Sequence, residues 1–299
     1  MPTFNQLADE VTRKLSGYTL RQDRQTHITA NITATALTIT VASATNISAG
    51  MIEIDDELIY VDSFDRNTGV LTIPPYGRGY NGTTAATHKS GAKVIISPSY
   101  TAIDVKSAIN EVILAVYPEL YSTDQYSFTY RPAQLTYELP SEVKKIFAMS
   151  YESIGPSKQW IPIRSYRIDT AADRTAFPSG KTVSLYSGVT SGRTINVHYA
   201  KVPSALENNN DDFEYTTGLP LSCKDVIVLG AAAKLAAFID PGRLTFGSAE
   251  ADQQSQIAGR AYGAGTSASK YLYALYQQRL QEEAQGLQDG NNIRIHYSL

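Results

Sequence analysis

Apolar residues recur along this chain with two periods, and the periods alternate. Phe4, Leu7, Val11 and Leu15 stand three or four apart, Thr3 and Gln6 form a capping-box pair, and Gly17 supplies a stop, which predicts a first helix. Over residues 26–97 the period falls to two. Leu37, Ile39 and Val41 alternate with threonines. Ile52-Glu53-Ile54 turns through Asp55-Asp56 into Leu58-Ile59-Tyr60-Val61, a tight hairpin. Arg66-Asn67-Thr68-Gly69 is a second turn before Val70-Leu71-Thr72-Ile73, and Val94-Ile95-Ile96 closes a small β module of about five strands.

Helical spacing then returns in Ile103, Ile109, Val112, Ile113 and Val116, with Thr101 and Asp104 in the first turn and Tyr117-Pro118 as the end. Residues 125–203 read again as strands, their apolar sets being Tyr126/Phe128/Tyr130, Leu135/Tyr137/Leu139, 143–149, 161–168, Val183/Leu185 and Ile195/Val197/Tyr199. Their close-set turns suit a sandwich. A polar loop at 207–212 precedes a third helix, opened near Leu219-Pro220 by Ser222 and Asp225. Its body, 226–239, is apolar nearly all round, which predicts burial on most sides. Residues 243–265 read as a loop, with a short helix within it as the alternative. A fourth helix over 267–285 shows Tyr271, Leu272, Leu275, Tyr276 and Leu280, with Gly286 and Gly290 after it. Residues 291–299 alternate like a strand.

The predicted fold class is α+β: a central helical bundle with two inserted antiparallel β modules and an extended C-terminal tail. The expected divisions are 1–25 (bundle helix), 26–98 (β module), 99–122 (bundle helix), 123–205 (sandwich-like module), 206–290 (two bundle helices) and 291–299 (tail).

Composition adds constraints. Charged residues are only 18%, and 20 tyrosines help fill the deficit, a surface suited to protein contact or simply to strands. A net charge of −3 gives no reason for tight nucleic-acid binding. Cys223 is the sole cysteine, so no intrachain disulfide or multi-cysteine metal site is expected. No secretory signal and no membrane span are read from the sequence.

Gly77-Arg78-Gly79-Tyr80-Asn81-Gly82 is a literal G-x-G-x-x-G. A strand precedes it, but Pro74-Pro75 intervenes and no apolar helix follows to receive a pyrophosphate. Gly77, Gly79, Gly82 and Gly91 are therefore read as turn residues needing positive φ or close backbone approach, and Asn81-Gly82 as a turn pair. His27, His88, His198 and His296 have no ligand spacing. His198 is expected on a solvent face and His88 in a turn. Cys223 reads as a small core residue. Asp55-Asp56-Glu57 and Asp211-Asp212 read as solvated turn acids, and 208–212 lacks the Gly and distal Glu of an EF-hand. Nothing selects a catalytic constellation, a cofactor or a metal.

Arg78-Gly79-Tyr80-Asn81-Gly82-Thr83-Thr84-Ala85-Ala86-Thr87-His88-Lys89-Ser90-Gly91-Ala92-Lys93-Val94 resembles the R-G-x-x-G-T-x-A-x-x-H-x-x-G-x-x-V run in β modules of tailed-bacteriophage structural proteins. The hairpin at 52–61 resembles the strand pair before it. The likeness marks Arg78, Gly79, Asn81, Gly82, Thr83, His88 and Gly91 as a turn motif. A helical bundle with β insertions and an extended end resembles, in architecture, the head-to-tail adaptor (connector) proteins.

That resemblance implies a non-enzymatic subunit of a homo-dodecameric ring, placed in the virion neck after assembly in the host bacterial cytoplasm. Its implied partners are the portal protein and a downstream tail or neck protein, with no membrane. DNA would pass through the channel without sequence-specific binding. Ile293, Arg294, Ile295, Tyr297 and Leu299 would dock on the portal, and their alternation suits β-augmentation. The competing readings are a tail-tip, baseplate or fibre protein with glycan-binding β modules, and a cell-wall hydrolase with two carboxylates about 5–10 Å apart.

Overall fold

The computed structural model describes residues 1–17, 23–154, 159–186, 188–237 and 264–290. The expectations for 243–263, for Phe238 and Ile239, and for the tail with Ile293, Arg294, Ile295, Tyr297 and Leu299 lie outside those residues. The chain is mixed α and β with antiparallel sheets. It divides into two compact units, one made of Met1–Thr3, Ile113–Val226 and Gln277–Leu299, the other of Phe4–Val112 and Ile227–Tyr276.

In the second of these units, α1 (Phe4–Ser16) buries Phe4, Leu7, Ala8, Val11 and Leu15, the stripe expected from its spacing. The β module then has seven strands rather than about five: β1 (Arg24–His27), β2 (Thr38–Thr40), β3 (Gly50–Ile54), β4 (Glu57–Val61), β5 (Ser63–Phe64), β6 (Val70–Thr72) and β7 (Lys93–Ile96). Strands of two or three residues, such as β2, β5 and β6, are too short to show a period. Two sheets form, ordered β1-β7-β3-β4 and β2-β6-β5. They share one core: Ile52, Ile54, Ile59, Val61, Val94 and Ile96 from the first meet Ile39 and Leu71 from the second. Each such side chain contributes about 1.5–3 kcal/mol by leaving water. Leu37 stays exposed.

Helix α2 (Ala102–Ala115) opens where the Thr101 hydroxyl accepts from the Asp104 N–H (3.2 Å) and donates to the Asp104 carboxylate (2.6 Å). The first-turn expectation holds, but Ile103 is exposed. The buried stripe is Val105, Ala108, Ile109, Val112, Ile113 and Val116, because Ile103 lies six residues from Ile109 and off its face. Two hairpin acids reach this helix. Glu53 on β3 accepts the Ala102 N–H at 2.6 Å, and Asp56 pairs with Lys106.

Helix α4 (Lys224–Ala236) is as apolar as expected. A Cβ on Gly230 would stand 2.8 Å from Val112 of α2 and 3.0 Å from the Tyr276 ring of α5 (Ala264–Gly290). The three helices therefore meet at a position that only a bare backbone fits. Lys234 pairs with Glu111, and the Ser269 hydroxyl donates to the Ala233 carbonyl at 3.0 Å.

In the other unit, strands β8 (Ser122–Thr129), β9 (Thr136–Glu138), β10 (Lys145–Glu152), β11 (Trp160–Pro162), β12 (Tyr166–Asp169), β13 (Thr182–Leu185) and β14 (Thr194–Lys201) make sheets ordered β11-β10-β14-β8 and β12-β13-β9. Ile146, Met149, Ile195, Val197 and Tyr199 of one face Tyr137, Val183 and Leu185 of the other in a single core. The run read as one strand over 161–168 is two strands in different sheets. The Ile163 N–H still bonds Met149 of β10, whereas the Ser165 carbonyl accepts from Tyr186 beside β13.

A short helix, α3 (Phe213–Thr217), follows the polar loop. Asp212 caps it by accepting the Tyr215 N–H at 3.0 Å, and Gly218 ends it at φ 70°. The Ser222 hydroxyl donates to Glu283 of α5 at 2.6 Å, so the expected Ser222–Asp225 cap is replaced by a link to another helix. Gly286 and Gly290 lie inside α5 rather than after it. A helical glycine costs only about 1 kcal/mol, too little to stop a helix tied down by Ser222–Glu283 and by Tyr121–Leu287.

Candidate functional site

The two-residue Asp55-Asp56 turn puts Asp55 at φ 54° and makes Glu57 the first residue of β4. Glu57 was read as a solvated turn acid, yet its side chain is 1% exposed. The pleat decides this: residue 57 points to the side on which the run after β6 folds back.

Five N–H groups converge on Glu57. Oε1 accepts from Arg78 Nε (2.7 Å) and the Gly79 backbone (3.0 Å). Oε2 accepts from Arg78 Nη2, the Ala86 backbone and His88 Nε2, each at 2.9 Å. Arg78 spends its remaining donors on three carbonyls, Thr33 (2.6 Å), Ala36 (3.0 Å) and Ala86 (2.7 Å). All five guanidinium N–H groups are then satisfied. Gly79 sits at φ 59°, and a Cβ there would lie 2.8 Å from the Thr83 carbonyl, so the residue presenting its N–H to Glu57 has to be glycine.

His88 is also buried, not in a turn as expected. Its backbone pairs with Ile32 in both directions (2.9 and 3.0 Å), its Nε2 meets Glu57 and its Nδ1 meets Asp55 at 2.6 Å. The two carboxylate partners raise its pKa to about 9 against the effect of burial, so the ring is an imidazolium donating from both nitrogens at neutral pH. Burial pushes the Glu57 carboxyl up, but the bonds from Arg78, His88, Ala86 and Gly79 together outweigh it and hold it far below the usual carboxylate range. The node carries two positive and two negative charges.

The rest of the run seals the free side of β4. The Gly77 carbonyl accepts the Tyr60 N–H at 2.8 Å, and the Thr83 hydroxyl accepts the Leu58 N–H at 3.1 Å. Asn81 (φ 54°) and Gly82 shape the turn between them. The Gly91 N–H donates to Ile28 at 2.8 Å. The stretch with phosphate-loop spacing is thus a clasp that closes a β module.

Chemically the node is saturated. Every polar atom of Glu57, Arg78 and the His88 ring is bonded within the protein, which leaves no lone pair or nitrogen to act on a substrate. Elsewhere, Cys223 is buried, and burial pushes its thiol up to about 11. His198, expected on a solvent face, is half-buried against the Phe147 ring at 5.5 Å. Asp211 accepts from the Glu207 and Asn208 backbones. A polar groove of about 860 Å³ between α1 and β1–β7 mixes Asp9 and Asp23 with Arg13 and Lys93. Among the described residues no His, Cys, Asp or Glu group is arranged to hold a metal ion, and no helix is long and apolar enough to cross a membrane.

The resemblance marked Arg78, Gly79, Asn81, Gly82, Thr83, His88 and Gly91, and the structure places all of them in the run that forms the clasp. It did not mark Glu57 or Asp55. The available signal was electrostatic: an Arg and a His in a run that must fold onto a hairpin need a carboxylate there. No protein-family model matches the chain, and no curated protein matches it significantly.

Proposed function

We propose that this chain is a non-enzymatic structural protein of a tailed phage, a head-to-tail adaptor that forms a ring between portal and tail around the DNA channel. The observation that carries the reading is the clasp. The run that resembles virion β modules uses its Arg, Gly, Thr and His side by side to lock one hairpin, a use of charge that serves rigidity and leaves no reactive group. In this reading α2, α4 and α5 belong to a central helical bundle, and their close meeting at Gly230 supports that. The −3 charge, repeated around a ring, repels DNA phosphates and lets the duplex slide.

The glycan-binding alternative called for clustered exposed tyrosines in the second β module. Tyr126, Tyr130, Tyr151 and Tyr166 instead are partly buried against the core, and among the described tyrosines of that module Tyr186 alone is exposed, so no cluster forms, which favours the adaptor. The test is portal docking. Deleting 293–299 abolishes binding to purified portal rings while the remaining chain keeps its circular-dichroism spectrum. A truncated chain that docks normally rules out the segment as the portal contact.

A further inference from the structure

Strand β8 stands at one edge of its sheet and pairs along its whole eight-residue length with β14 alone. Tyr130, just past its end, exchanges bonds with Arg193 and Gly192. The alternation of an antiparallel ladder then turns the backbones of Phe128, Tyr126 and Asp124 toward β14, and those of Thr129, Ser127, Gln125 and Thr123 outward. Of the outward N–H groups, Gln125 has the Asp124 carboxylate at 2.7 Å. Those of Thr123, Ser127 and Thr129 have no partner among the described residues. A long edge left open in this way is a template for another strand.

The side chains specify what kind. One face of β8 carries Tyr126 and Phe128, half-buried against the sandwich core, and the other carries exposed Thr123, Gln125, Ser127 and Thr129. A strand laid alongside needs apolar residues at every second position and polar ones between. Segment 291–299 has that pattern, with Ile293, Ile295, Tyr297 and Leu299 alternating with Asn292, Arg294, His296 and Ser298. The helix that precedes it also ends in the right place. The Tyr121 hydroxyl, one residue before β8, donates to the Leu287 carbonyl near the end of α5 at 3.3 Å. Nine extended residues reach about 30 Å, and the eight of β8 span about 26 Å.

We propose that the open edge of β8 is the docking site of this chain's own segment 291–299, which pairs with it in parallel and lays Ile293, Ile295 and Tyr297 beside Tyr126 and Phe128. In the adaptor reading the same segment docks on the portal, so β8 holds it, and shields its own edge, until the portal takes it.

Residue-resolved amide exchange on the whole chain tests this. Deleting 291–299 speeds exchange at Thr123, Ser127 and Thr129 by at least about tenfold and leaves Tyr126 and Phe128 slow, because their amides face β14. A synthetic peptide of residues 291–299, added to the truncated chain, restores the slow rates. Unchanged exchange after deletion overturns the proposal. So does protection that disappears when the chain is diluted to a monomer, since a second copy would then supply the strand. Portal docking is read separately: lost docking with unchanged exchange removes the β8 site and keeps the adaptor reading, and the reverse pair of results does the opposite.

Discussion

Glu57→Gln removes one charge from the clasp and changes almost nothing in shape. It leaves the Arg78 guanidinium buried with carbonyls alone as partners, and the His88 imidazolium paired only with Asp55, whose side chain is 61% exposed and whose pull is weakened by solvent. The amide also presents an N–H where Oε1 or Oε2 accepted one, so at least one of the Gly79, Ala86 and His88 donors faces another donor. Removing one partner of a buried ion pair costs about 3–5 kcal/mol, a large part of the 5–15 kcal/mol that holds a domain together.

The loss depends on pH. The His88 pKa is raised from 6.5 to about 9, so its pairing contributes stability fully below about pH 6.5, worth about 3 kcal/mol, which is lost as pH rises through 9. Urea unfolding followed by circular dichroism, with exchange at the Ile32 and Gly91 amides as the local reporter, measures this in both proteins. The Gln variant is weaker by several kcal/mol near pH 6 and by less near pH 10, where His88 no longer needs the carboxylate. A loss under about 1 kcal/mol near pH 6, or an equal loss at both pH values, means that the Glu57 charge does not hold Arg78 and His88 in the clasp.

Other substitutions probe other joints. Burial raises the Glu53 pKa to about 7, with the Ala102 N–H opposing and Asp56 and Asp23 adding. Its contribution is therefore present below about pH 4.5 and lost as pH rises through 7, and Glu53→Gln, which keeps an acceptor for Ala102, gains up to about 3 kcal/mol above pH 7. Equal pH slopes in variant and parent denaturation curves count against that. Gly230→Val drives a branched side chain into Val112 and Tyr276 and lowers stability by about 1–3 kcal/mol. A neutral result in thermal unfolding means the three helices do not meet there.

Long periodic elements were legible in the sequence: α1 from Phe4, Leu7, Val11 and Leu15, the 50–61 hairpin from its alternation, and the buried α4 from its alanines. The two-residue β5 and the five-residue α3 were not, since each is shorter than the window over which a period can be read. The clasp was half legible. The glycines announced a turn, and the run named Arg78 and His88. Glu57 looked like any acid beside a hairpin turn, because its burial is created by residues 78–88 folding back across the sheet, a contact more than twenty residues away in sequence. The same non-local origin hid the Ser222–Glu283 link, which took the hydroxyl that local spacing had assigned to a cap.

The proposed place of this chain is the virion neck. Electron microscopy of phage particles carrying a gold label on this chain tests it most directly. A neck subunit gives label and ring-shaped density immediately beneath the portal, absent from particles assembled without the chain. Label at the tail tip or along fibres, or particles with no label at all, contradicts it.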